Sequence, residues 1–138
     1  MKMTLRRSFL KKSTLGFAGW LGLSSFSKSQ AKSLGGDFVH TVYFWMKDPG
    51  NAPNNSVFTK NLRTFLDAVD VIRSYHIGVP ANTPRDVVDN SYTFALIVTF
   101  DDKAAHDIYQ EHSIHKSFIA ETQHLWTRVQ IYDSITAS

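Results

Sequence analysis

From Phe38 to Ile135 the apolar residues switch period in a fixed order. The period is two, then 3.6, then two in a pair of consecutive segments, then 3.6, then two, and no other feature of the chain constrains its fold as much. Phe38 to Lys47 reads as a strand, rich in β-branched and aromatic side chains. Its alternation sets His40, Val42, Phe44 and Met46 on one face and Val39, Thr41, Tyr43 and Trp45 on the other. Both faces are largely apolar, so both are expected to be covered. Asp48 to Asn55 reads as a loop, with Pro49, Gly50 and Pro53 among its asparagines. Ser56 is the expected N-cap of a helix running to about Ala68, whose buried stripe is Phe58, Leu62, Phe65, Leu66 and Val69. Val71 to Val79 and Tyr92 to Phe100 are the next strands, joined by a loop over Pro80 to Asn90. Asp101 and Asp102 can cap a helix that starts near Lys103 and continues, with a break near His112, to about His124. Val129 to Ile135 closes the series as a fourth strand.

The order β-α-β-β-α-β predicts an α+β, ferredoxin-like domain with a four-stranded antiparallel sheet. Helices on one face leave the other face bare, although the strands bring apolar residues to it. A domain of about 100 residues also gains stability from further burial. Pairing two sheets face to face into a dimeric α/β barrel meets both needs, so a homodimer is expected.

Residues 1–31 have a different character. Thr4-Leu5-Arg6-Arg7-Ser8-Phe9-Leu10-Lys11 resembles the twin-arginine export consensus. A weakly apolar stretch from Leu15 to Phe26 follows, and Ser29-Gln30-Ala31 offers small residues for cleavage. The apolar stretch falls short of the ~20 residues that span a bilayer, so no stable membrane anchor is expected. The sequence thus divides into a signal peptide over 1–31, a short leader over 32–37 and one domain over 38–135. The product is expected to be bacterial and periplasmic or secreted. All six charges in the signal are positive, and the remaining 9 Lys and Arg face 12 Asp and Glu, a formal charge of −3. A basic surface for nucleic acid is therefore not expected. The chain has no cysteine, which removes disulfides, thiolate metal sites, a cysteine nucleophile and a lipoprotein anchor.

The residues that carry chemistry cluster in Tyr109-Gln-Glu-His112-Ser-Ile-His115-Lys-Ser-Phe118. Tyr109, His112 and His115 recur at i, i+3 and can share a helical face. Such a face would present two titrating imidazoles and a phenol to a cavity, a combination suited to proton transfer near neutral pH. The same residues can equally satisfy backbone groups and pin a helix bend. Two imidazoles three apart can also begin a metal site, but spacing fixes no third ligand, so no metal centre is expected. His106 and His124 fall near helix ends, and His76 alternates away from the apolar residues of its strand.

His40-x-Val42-x-Phe44 at the start of a strand, the Tyr109-x-x-His112-x-x-His115-x-x-Phe118 run and a closing strand ending in Asp133 together resemble the stress-responsive A/B barrel family, over nearly all of residues 38–135. The resemblance implies the dimeric barrel and a small pocket between sheet and helices. In a plant polyketide cyclase branch of that family the catalytic tyrosine and histidine fall on Tyr109 and His115, and a pocket histidine falls on His40. The resemblance continues through Trp126, Val129 and Ile131. Phe94 stands where that branch has a third pocket histidine, and Ser113 where it has proline. On this basis His115 would be a general base, Tyr109 a hydrogen-bond donor to an enolate oxygen, and His40 an orienting group. The expected walls are Val42, Phe44, Leu96, Val98, Phe118, Trp126, Val129 and Ile131, with His112 beside them. They would suit a small apolar or aromatic ligand, and the scheme requires no cofactor. The alternative is a non-catalytic dimeric stress or binding protein in which the same side chains are structural.

Overall fold

The structure is a computed structural model, and it describes residues 34–137. The expected export signal over 1–31 lies outside the described residues. Four strands, β1 (Phe38–Met46), β2 (Ser74–Gly78), β3 (Phe94–Phe100) and β4 (Trp126–Ile135), form one sheet in the order β2-β3-β1-β4. Every neighbouring pair is antiparallel. Three helices accompany them, α1 (Ala52–Asp67), α2 (Lys103–Glu111) and α3 (Ser113–Thr122), with a single 3-10 turn at Gln123–Leu125 leading into β4. This is the ferredoxin-like α+β arrangement expected from the sequence. Among the described residues no helix is long and apolar enough to cross a membrane.

The central strand β1 pairs with β3 on one edge and β4 on the other, so its backbone hydrogen bonds are satisfied on both sides. Its residues alternate between buried and half-buried, with His40, Val42, Phe44 and Met46 facing the helices. Phe58, Leu62, Phe65 and Leu66 of α1 meet Val42, Phe44, Leu96 and Val98 of the sheet in one core. Phe58 and Leu62 are wholly buried there. Each contributes about 1.5–3 kcal/mol relative to an exposed position. The other sheet face carries Tyr43, whose ring lies 4.9 Å from Tyr92 and 6.4 Å from Tyr132, and Trp45 with the Arg128 guanidinium 4.2 Å above its ring. Tyr132 is 61% exposed, so this face is aromatic and uncovered within the chain.

Several boundaries differ from the sequence reading. α1 begins at Ala52, four residues before Ser56, because the Asn51 side chain accepts a hydrogen bond from the Asn54 backbone N–H and caps it there. Pro53 sits in the first turn, where its missing N–H leaves no bond unmade, so it starts this helix rather than marking a loop. β2 is confined to Ser74–Gly78; Val71 and Ile72 pack on the core ahead of it, and Val79 is exposed. β3 starts at Phe94 rather than Tyr92, and β4 at Trp126 rather than Val129. Asp102 caps α2 through the Ala105 N–H, and the chain breaks at His112, as expected.

Candidate functional site

The break at His112 shapes the site. His112 takes an extended conformation (φ −64°, ψ 133°) between α2 and α3, and its Nδ1 accepts a hydrogen bond from the Ile114 N–H. The bend brings together residues on either side of it. The Tyr109 and His115 rings stack at 4.5 Å with 27° between their planes. His40 approaches from β1, its ring 5.6 Å from Tyr109. Phe65 of α1 backs both, 5.5 Å from Tyr109 and 5.2 Å from His115.

These side chains line a cavity of about 210 Å³ between the sheet and the helices. Its walls include His40, Val42 and Phe44 from β1, Leu96 from β3, Phe118 from α3, and Trp126, Val129 and Ile131 from β4. Tyr109 and His115 line it too, as expected from the sequence. Two expected members do not line it. Val98 stands opposite His40 in the β1–β3 register but is wholly buried in the core. His112 is occupied as the cap of α3. Phe65, Gln110 and Ile119 line the cavity without having been singled out.

Hydrogen bonds assign the tautomers of two pocket histidines. His115 Nδ1 lies 3.2 Å from the Gln110 carbonyl oxygen, which can only accept, so Nδ1 carries the proton and Nε2 keeps its lone pair. His40 Nδ1 lies 2.6 Å from Asp133 Oδ1, and by the same logic donates to the carboxylate and leaves Nε2 unprotonated. Burial pushes both imidazoles below the usual histidine range, although the Asp133 charge partly offsets this at His40. Burial, and after it the Asp133 carboxylate, pushes the Tyr109 hydroxyl upward, so it stays a neutral phenol able to donate. The Trp126 indole Nε1 is buried without a hydrogen-bond partner.

His106 and Asp133 are the residues that sequence reasoning undervalued. A helix-end position suggested nothing special for His106. It is buried, stacked on Phe38 at 4.4 Å, and 5.0 Å from the His40 ring. Its signal was the His106-x-x-Tyr109 spacing, which places both on one helical face. Asp133 follows Val129 and Ile131 at every second residue and so shares their inward face. Burial pushes His106 below the usual histidine range as well, the nearby Asp133 carboxylate opposing it.

The arrangement offers an apolar enclosure, a neutral phenol and an imidazole lone pair, the elements of proton transfer without a bound cofactor. The sequence model of the Stress Responsive A/B Barrel Domain, Dabb, matches residues 38–136. No curated protein matches the chain in sequence. A Dabb family protein with a ferredoxin-like fold from Mesorhizobium loti is similar at 21% identity and a TM-score of 0.64, over 75% of this chain and all of that one. A dimeric ferredoxin-like protein of unknown function from Thermobifida fusca is similar at 16% identity and a TM-score of 0.61, over 76% of this chain and 96% of that one. The hydroxynitrile lyase of Passiflora edulis is similar at 12% identity and a TM-score of 0.65, over 74% of this chain and 94% of that one. At these identities the likeness is one of fold.

Proposed function

The chain belongs to the stress-responsive A/B barrel domain family, and from that premise we propose that it is an exported homodimer that binds a small apolar or aromatic molecule between its sheet and its helices. The observation that carries the reading is the stacked Tyr109–His115 pair inside a mostly apolar cavity of about 210 Å³. That volume lies below the ~300–1,000 Å³ common for drug-sized ligands, which favours a compact, monocyclic or short acyl molecule with one acceptor oxygen. Acetophenone serves as a probe of that class. Electron density of crystals soaked with it is expected beside Tyr109 and His115. Density confined to the molecular surface, with the cavity unchanged, would count against the reading.

The dimer is supported by the uncovered Tyr43, Trp45 and Tyr132 face and by neighbours described as dimeric. Export rests on the Arg6-Arg7 segment of the sequence.

A second reading, an acid–base catalyst of the cyclase or lyase kind, is favoured by the tautomer of His115. Nε2 would take a proton from the carbon α to a carbonyl, and the Tyr109 hydroxyl would donate a hydrogen bond to the enolate oxygen that forms. The lyase of like fold supports the chemistry as a class. The test is exchange of the acetophenone methyl protons for solvent deuterium, followed by NMR. Catalysed exchange that His115→Ala abolishes is the expected result. Exchange at the uncatalysed rate leaves a binding protein.

A further inference from the structure

We propose that His40, His106 and Asp133 form a site for one divalent transition-metal ion per protomer, of the borderline class to which zinc belongs. This goes beyond the pocket reading, because it uses neither Tyr109 nor His115. One ligand atom from each of the three residues lies within 4.8 Å of the other two, and among the described residues this is the one such group of histidines and carboxylates.

The fold holds the three in place. His40 sits in the middle of the central strand, and Asp133 faces it directly across the β1–β4 pairing. His106 comes from the first turns of α2, laid against the same strand, where its ring is clamped between Phe38 and Tyr109. Both imidazoles are buried, 2% and 7% exposed, and His106 Nε2 lies 3.0 Å from Gln110 Nε2, so packing and hydrogen bonding keep both rings close to the positions an ion requires. The Asp133 side chain is 42% exposed and gives a path from solvent.

The donor chemistry selects the class of ion. Two imidazoles and one carboxylate suit zinc, cobalt or iron(II), whereas calcium and magnesium demand mostly oxygen. Metal–ligand bonds of about 2.0–2.2 Å place tetrahedral donors roughly 3–3.5 Å apart. An ion would therefore replace the proton that His40 Nδ1 now donates to Asp133, sending it to Nε2 or to solvent, part these two atoms, now 2.6 Å apart, and draw His106 inward. The His112 and His115 pair picked out by spacing is not part of such a group among the described residues.

The test is a titration of chelator-stripped protein with cobalt(II). One equivalent per protomer is expected, with the visible ligand-field bands of a four- or five-coordinate ion. His106→Phe, which keeps a ring stacked on Phe38, and Asp133→Asn should each weaken binding by at least about tenfold. His112→Ala and Tyr109→Phe should leave it unchanged. Absence of the bands, or equal affinity in His106→Phe and Asp133→Asn, would overturn the proposal. Should either variant fail to fold, histidine ring signals of the unsubstituted protein decide. Zinc must shift those of His40 and His106, and a shift confined to other histidines overturns it. Neither result bears on whether acetophenone occupies the cavity, so the two readings fail separately.

Discussion

His40 and Asp133 face each other across the β1–β4 pairing and are joined by a 2.6 Å hydrogen bond from Nδ1 to the carboxylate. The bond satisfies a buried imidazole N–H and fixes which nitrogen of His40 carries the proton. Asp133→Ala leaves that donor without a partner inside the protein, which costs about 1–3 kcal/mol. Urea unfolding is expected to show a loss of this size. It should be largely absent when His40→Phe is already present, because the phenyl ring has no donor to strand. An equal loss in both backgrounds would show that Asp133 stabilises β4 by some other route.

Stability should also respond to pH through His115. Its pKa is pushed below the usual 6.5, first by burial, opposed by the Gln110 carbonyl and reinforced by the nearby His106, His112 and Lys116. The neutral form is thus favoured in the folded state, and the unfolded chain binds a proton first as pH falls. His115 therefore contributes nothing adverse above pH 6.5 and costs stability progressively between 6.5 and its lowered folded value. His115→Phe keeps the stacked ring without the titration. Between pH 7.5 and 5.5, thermal melts of this variant should lose less stability than those of the unsubstituted protein. Identical slopes would mean that His115 is solvated when the protein is folded.

The aromatic outer face predicts the assembly. Tyr43→Glu places a carboxylate between Tyr92 and Tyr132, at the centre of the proposed interface. Light scattering should give twice the protomer mass for the unsubstituted protein and one protomer for the variant, with the helix-covered core intact by circular dichroism. A monomeric unsubstituted protein would contradict the dimer directly.

The proposed export route predicts a dependence on the paired arginines. Replacing Arg6 and Arg7 together by lysine should leave the protein in the cytoplasmic fraction of a bacterial host, while the unsubstituted chain reaches the periplasm in processed form. Equal periplasmic yields would remove the twin-arginine route.

Much of the fold was legible because hydrophobic periodicity reports on burial directly. The alternation of β1, the α1 stripe and the break at His112 all translate into observed elements. Boundaries were less legible where one residue type serves two structures: Pro53 suits a loop or a first helical turn, and only the Asn51 cap decides between them. Within the site, Tyr109, His112 and His115 stood out by residue type and spacing, whereas His40 and most of the apolar walls came with the family resemblance. His106 and Asp133 did not stand out, because their meeting depends on the β1–β4 register and on where α2 is laid across the sheet. Val98 illustrates the converse. Alternation puts it on the inward face, yet packing closes over it completely.

The cavity itself is the central claim, and filling it is the most direct test. Val129, half-buried on β4, lines the cavity opposite Phe44. Val129→Trp would occupy the space at an overpacking cost of about 1–3 kcal/mol, which thermal melts can confirm the fold survives. Calorimetric titration with acetophenone should then show saturable binding to the unsubstituted protein and affinity weaker by at least tenfold, about 1.4 kcal/mol, for the folded variant. Equal affinity of the two proteins, or no saturable binding to the unsubstituted one, would contradict a ligand site between Tyr109, His115 and the sheet.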